Sequence, residues 1–257
     1  MKIGIITIHK SPNYGACLQS YALWKYIELQ GCECEIIDLC RPYQKEYLPS
    51  KKFHLMRQDN TFIGKCKYWI KKILHIKREY NYFSVPAKKK FDEFNSLMNY
   101  SRKYLGIDSL YENPPLYDLY ISGSDQLWNP TQPYCLEPYF LTFVPNNLKK
   151  ISYATSIGIT TLTEKEKQKF KIWLSSYDAI SVREQQGKLL LESFIDNKDI
   201  QEVPDPTFLL DVENWKKMAI NPTTNRKYIL LFTLQWSPLL VEYCKKLRKE
   251  SNLELIV

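Results

Sequence analysis

The opening stretch of the chain constrains its fold most. Lys2 to Ile8 (KIGIITI) is a short apolar run of strand type. It breaks into a polar, turn-rich loop, His9-Lys10-Ser11-Pro12-Asn13-Tyr14-Gly15-Ala16. A helical stretch follows to Leu29, Gly31 marks its stop, and Cys34 to Leu39 reads as a second strand. This strand–loop–helix–strand order opens a parallel α/β sheet. Such sheets hold ligands at the carboxyl ends of their strands, against helix N-termini, so His9–Ala16 is the first candidate site.

At 257 residues, 44% hydrophobic and 25% charged, the chain has the composition of a globular protein with a sizeable core. It has no apolar run long enough to span a bilayer and no signal-peptide pattern at its N-terminus. Seven scattered cysteines, an odd number, point to reduced thiols and a cytoplasmic location. Cys32-x-Cys34 with Cys40 is not a zinc spacing and has no nearby histidine, so no metal is expected. The net charge of +8 is uneven. Arg41 to Tyr104 carries 16 Lys/Arg against 5 Asp/Glu, and the remainder 20 against 23.

That basic segment interrupts the α/β rhythm. Lys65 to Arg78 reads as an amphipathic helix, with Cys66, Trp69, Ile70, Ile73 and Leu74 on one face and lysines flanking them. It is either a surface helix packed on its own domain, a contact for anionic lipid at the inner membrane face, or a rim attracting a charged substrate. No nucleic-acid motif accompanies it. A helix is expected over Ala87–Met98.

The sheet resumes at Leu116–Ser122 and ends in Gly123-Ser124-Asp125-Gln126-Leu127-Trp128-Asn129-Pro130. Tyr139–Val144, Lys150–Thr155, Ala179–Arg183 and Ile200–Val203 read as further strands. Thr163 to Glu166 forms a capping box that opens a helix, and another helix runs from Glu184 to Ser193. Asn221–Asn225 is a turn-forming break. Beyond it, strand Tyr228–Leu234, helix Ser237–Lys249 capped by Ser237, and strand Leu253–Val257 restart the pattern. The expected organisation is a Rossmann-like domain over 1–222, with a basic helical insertion at about 41–104, and the start of a second over 226–257. The chain is expected to be cut short there, and the exposed last strand favours a homo-oligomer.

Two loops carry the candidate chemistry. In the first, Gly15 permits close backbone approach and the helix N-terminus favours an anion. Neither G-x-G-x-x-G nor a P-loop is present, so dinucleotide and ATP readings lack a motif and no cofactor is expected. His9 is either an acid/base or anion contact, or a polar residue closing the turn. In the second, Gly123-Ser124 is a close-approach turn. Asp125 is either a base or hydroxyl orienter, or a cap for the next turn. Arg183 either binds an anion jointly with helix N–H groups or forms a salt bridge to Glu184. Asp205, between two prolines, reads as a rigid turn.

Five ordered stretches together resemble the polysaccharide pyruvyl transferase family. They are Ile3–Thr7 with Asn13-Tyr14-Gly15-Ala16; Gly123–Pro130; Lys150–Ala154 with Ser156 and Gly158; Ser181-Val182-Arg183-Glu184; and Asp205-Pro206-Thr207. The Gly-Ser-Asp-Gln-x-Trp-Asn-Pro string is the most specific. The resemblance implies two facing Rossmann-like halves, as in GT-B glycosyltransferases. It also implies transfer of a pyruvyl group from phosphoenolpyruvate to two hydroxyls of a surface-polysaccharide sugar (capsule or exopolysaccharide), as a ketal. On that basis Asn13, Tyr14, Gly15, Gly123, Ser124 and Arg183 bind substrate, and His9 and Asp125 are catalytic. The acceptor is a lipid-linked or nucleotide-linked sugar.

The family's second half carries an Arg-x-His motif that does not occur in these 257 residues. The resemblance therefore implies half an active site, with no pyruvyl transfer by this chain alone. Two other readings stand beside it: a non-catalytic interaction protein of the same fold, and a GT-B-like glycosyltransferase using a nucleotide sugar.

Overall fold

The computed structural model describes residues 1–42, 44–50, 70, 85–132, 134–196, 198–220, 226–233 and 236–256. They divide into two compact units, Met1–Asp211 and Val212–Val257. The expected basic helix Lys65–Arg78 and the break at Asn221–Asn225 fall outside the described residues, Ile70 excepted.

The first unit is built on a parallel sheet. β1 (Lys2–Ile6) pairs on one side with β2 (Glu33–Ile36) and on the other with β3 (Leu119–Ser122), which pairs with β4 (Lys149–Ser152). β5 (Ile180–Val182) pairs with β6 (Ile200–Glu202), also in parallel. Bridges Ile151–Ala179 and Thr155–Val182 join β4 to β5. On the opposite edge Tyr100 bridges Ile36 and Tyr104 bridges Leu39, again in parallel. With 100–104 counted as the third strand in chain order, the spatial order becomes 3-2-1-4-5-6-7, which contains the doubly wound Rossmann arrangement 3-2-1-4-5-6. The Rossmann-like reading therefore holds. The strand order reverses at β1, so the crevice of such a sheet lies between the ends of β1 and β3.

The helix expected at 87–98 is α2 (Val85–Asn95), and it packs on α1 (Tyr14–Leu29), with Tyr14 and Phe91 rings 5.0 Å apart. The chain then lines the β2 edge. Sequence reading also passes over α3 (Ile107–Glu112), a single short stretch with Ile107 and Leu110 buried. α1 starts on an N-cap from Asn13, whose Oδ1 accepts from the Ala16 N–H at 3.0 Å.

Tyr139–Val144 is not a strand. Glu137–Phe140 is a 3-10 turn, and Leu141 sits in the left-handed region at φ 54°. Tyr139, Phe140 and Leu141 are fully buried core. An apolar run of this length fits a buried turn as well as a strand, and periodicity does not separate them. The capping box is as expected: Thr163 Oγ1 accepts from Glu166 N–H and Glu166 Oε2 from Thr163 N–H. It opens α4 (Glu164–Leu174), and α5 (Gln185–Glu192) follows β5.

The second unit holds α6 (Val212–Met218), β7 (Tyr228–Leu230), α7 (Pro238–Ser251) and β8 (Glu254–Ile256). β7 and β8 pair in parallel, and Ser237 caps α7 as expected. No helix among the described residues is long and apolar enough to cross a membrane.

Candidate active site

The strand ends of the first unit are stitched sideways into a continuous rim. At the β1–β3 crevice the buried Gln19 side chain of α1 donates to Thr7 Oγ1 at 3.1 Å and accepts from the Ser124 N–H at 3.2 Å. Thr7 Oγ1 in turn donates to the Ser124 carbonyl at 3.0 Å. The Ser124 hydroxyl donates to the Ala154 carbonyl, 2.7 Å away, across to the β4 end. Asp125 bridges Thr155, and the Arg183 N–H donates to the Thr155 carbonyl. The rim thus carries His9, the α1 start, Gly123-Ser124-Asp125 and Arg183 in one row.

Gly123 has to be glycine. Its φ is +130°, and a Cβ there would lie 2.1 Å from the Tyr153 carbonyl oxygen and 2.7 Å from Thr155 Oγ1. Its peptide bond to Ser124 is cis. Ser124 is fully buried, with its hydroxyl spent on Ala154. Asp125 alone of this trio reaches the surface, partly exposed, on a left-handed backbone of φ 82°. One of its carboxylate oxygens, Oδ1, accepts from the Gln126 N–H at 2.7 Å.

The rest of the string is structural. Trp128 is fully buried, stacked on Phe140 at 5.4 Å, and its Nε1–H donates to the Tyr139 carbonyl at 3.1 Å. Asn129 Oδ1 accepts from Thr131 N–H. The most recognisable motif of the sequence is an anchor that drives an indole into the core and leaves Asp125 on the rim.

In the first loop Asn13, Tyr14 and Gly15 are exposed. A Cβ on Gly15 would press on Asn13 Oδ1, at 3.3 Å, and on nothing else within 4 Å. His9 lies deeper, 2% exposed. Its Nδ1 is 3.0 Å from the Thr7 carbonyl and its Nε2 is 2.9 Å from Asp38 Oδ1. Burial is the main effect that pulls the His9 pKa below its ordinary value, opposed by Asp38. A neutral ring donates to only one of two facing acceptors, so the Asp38 contact competes with burial for the second proton.

Asp38, Lys10 and Arg41 complete this end, and sequence reading missed all three. Asp38 Oδ2 takes the Lys10 ammonium at 2.6 Å. Burial raises the Asp38 carboxyl, but the hydrogen bonds and charges of His9 and Lys10 outweigh it and hold the group down at about 2. Arg41 Nη1 donates to the His9 carbonyl at 2.6 Å. The signal was a lone Asp inside the apolar run Ile36-Ile37-Asp38-Leu39-Cys40, where a charge in a strand end needs a buried partner.

Arg183 lies at the other end of the rim, half-buried. Its Nε pairs with Glu184 Oε1 at 2.9 Å and its Nη1 with Asp205 Oδ2 at 3.0 Å. Burial lowers its pKa, but the two carboxylates outweigh this and raise it, so the cation is permanent. Asp205 also caps its turn, with Oδ1 accepting from the Thr207 N–H at 3.0 Å, as expected of a rigid corner.

Two hollows among the described residues lie away from this rim: a basic groove of about 1040 Å³ in the second unit, beside Arg226, Lys227, Lys245, Arg248 and Lys249, and one of about 570 Å³ toward the amino ends of β1 and β3. The groove lies at the amino ends of β7 and β8, and ligands of α/β sheets bind at the carboxyl ends.

Compared with known protein families, residues 13–256 match polysaccharide pyruvyl transferase. The chain belongs to the polysaccharide pyruvyl transferase family. No curated protein matches it. The pyruvyl transferase match runs through every rim segment except the His9–Pro12 side of the first loop. It therefore covers Asn13, Asp38, Arg41, Asp125 and Arg183 alike.

Proposed function

We propose that this chain supplies part of a site that moves a pyruvyl group from phosphoenolpyruvate to a sugar of a surface-polysaccharide precursor. The supporting observation is that an exposed helix start, a partly exposed carboxylate and an arginine share one carboxyl-end rim in a member of this family. Phosphoenolpyruvate brings a phosphate and a carboxylate, which call for cations and helix N–H groups. Protonation of its methylene carbon makes an oxocarbenium-like centre at C2. One sugar hydroxyl adds there, phosphate leaves, and a second hydroxyl closes the ketal.

Asp125 is the proposed base for those hydroxyls, because it is the carboxylate of the β3 end that reaches solvent. Asn13, Tyr14 and Gly15 face the donor with their exposed turn, and Arg183 contributes the donors its two carboxylates leave over. Gly123 and Ser124 act by shaping the crevice. His9 is the candidate acid, and its ring must leave Asp38 or Thr7 before it hands over a proton. The acceptor is a lipid-linked or nucleotide-linked sugar. That places the work in the cytoplasm at the inner membrane face, with the basic segment 41–104 as the peripheral contact.

Calorimetry separates this reading from its rivals. Phosphoenolpyruvate is expected to bind the full chain, with or without a nucleotide sugar present. Binding of a nucleotide sugar without phosphoenolpyruvate would sink the proposal in favour of a glycosyltransferase.

A further inference from the structure

We infer that Arg41 is the residue that grips an oxyanion group, phosphate or carboxylate, of the ligand at this rim; naming that ligand as the donor rests on the function proposed above. Arg41 is 8% exposed, yet among the described residues it forms no ion pair. Its hydrogen bonds include the Nη1 contact to the His9 carbonyl and a backbone N–H to Gln44 Oε1 at 2.6 Å. The carboxylate nearest in sequence, Asp38, has both oxygens committed, one to His9 and one to Lys10. A guanidinium keeps its proton at any working pH, so burial leaves a standing charge with donors to spare. Buried charges are normally paired because an unpaired one is costly.

The position of Arg41 fits a ligand contact. Its charge reaches Cys17 in the first turn of α1. It also reaches the Tyr134 and Tyr139 hydroxyls, which feel Asp125 as well. Burial pushes both phenols up to about 12, so each keeps its proton at neutral pH. Arg41 thus sits on the His9 carbonyl at the β1 end, the strand at which the sheet order reverses, within electrostatic reach of the α1 turn. An oxyanion there would meet a planar fork of N–H donors, with the start of α1 beside it.

The test measures binding of phosphoenolpyruvate, inorganic phosphate and pyruvate to the full chain and to Arg41→Gln and Arg41→Lys, with a melting curve for each. Removing one partner of a buried charge contact should weaken phosphoenolpyruvate binding on the order of 30-fold or more in Arg41→Gln. Arg41→Lys keeps the charge but loses the fork, and should fall between. The ligand-free melting temperature of Arg41→Gln should not drop, because an uncompensated cation has gone. Whichever of phosphate and pyruvate competes in the unchanged chain, and no longer does so in Arg41→Gln, identifies the gripped group.

Unchanged phosphoenolpyruvate affinity in a folded Arg41→Gln overturns the inference and leaves the donor reading standing. If that variant does not fold, unchanged affinity in Arg41→Lys overturns it equally. Phosphate binding that depends on Arg41, without phosphoenolpyruvate binding, keeps the inference and defeats the donor reading. No binding of any of the three defeats both.

Discussion

Arg183 and Arg41 each follow a strand at the same rim, and their surroundings differ. Arg183, at the end of β5, is half-buried and held by Glu184 and Asp205. Arg41, beyond β2, is more deeply buried and rests on a carbonyl. The first cation is neutralised inside the fold, and the second is left for something else to neutralise. Stability and binding should therefore separate between them. Arg183 belongs more to the structure, and Arg41 more to the ligand.

The sharpest probe of the Arg41 side is Asp38, since it keeps Lys10 and His9 occupied and away from Arg41. An unfolded aspartate titrates near ~3.9, whereas here the folded carboxyl is held at about 2. The ionised form therefore favours the fold above about pH 4, and that contribution fades as the pH falls toward 2. Asp38→Asn should cost on the order of 2 kcal/mol near neutral pH, with the gap from the parent closing in acid. A gap that stays constant from pH 6 to pH 2.5 in urea melts would show that the fold does not hold the Asp38 carboxyl below its unfolded value.

The β5 side should respond more weakly. Arg183→Gln breaks two partly exposed ion pairs and should cost about 1 kcal/mol in denaturant melts. It should also lower phosphoenolpyruvate affinity less than Arg41→Gln does. A larger loss of binding at Arg183 than at Arg41 would reverse the comparison. The smallest effect is expected at Gly15, where a Cβ would press only on Asn13 Oδ1, 3.3 Å away. Gly15→Ala should change stability by less than about 0.5 kcal/mol while weakening phosphoenolpyruvate binding. Equal binding by Gly15→Ala would move the ligand away from the α1 turn.

The two loops that carry the family resemblance were legible for different reasons. The first loop stood out because a helix start and a glycine turn are local properties, and the start of α1 appears where the sequence put it. The Gly123–Pro130 string stood out because its composition is unusual, yet most of it serves the core. Trp128 is spent on Phe140 and the Tyr139 carbonyl, and Asn129 on its own turn. His9 was found as a polar residue at a strand end. Its partner Asp38, 29 positions away, was read as part of a strand. The strand-like run 139–144 misled because burial from every side erases periodicity.

Sequence by itself determined the parallel α/β class, the strand-end loops worth searching, the helix cap at Ser237 and the capping box at Thr163. All of these depend on residues within a few positions of one another, where backbone hydrogen bonds and side-chain alternation are decided. Only the tertiary structure decided that 100–104 completes the Rossmann order. It alone decided that Trp128 is an anchor, that Arg183 is already paired and that Arg41 is not. A charge is written in the sequence, but its counter-ion is set by which strand ends the sheet brings together. Burial then fixes how much that pairing matters.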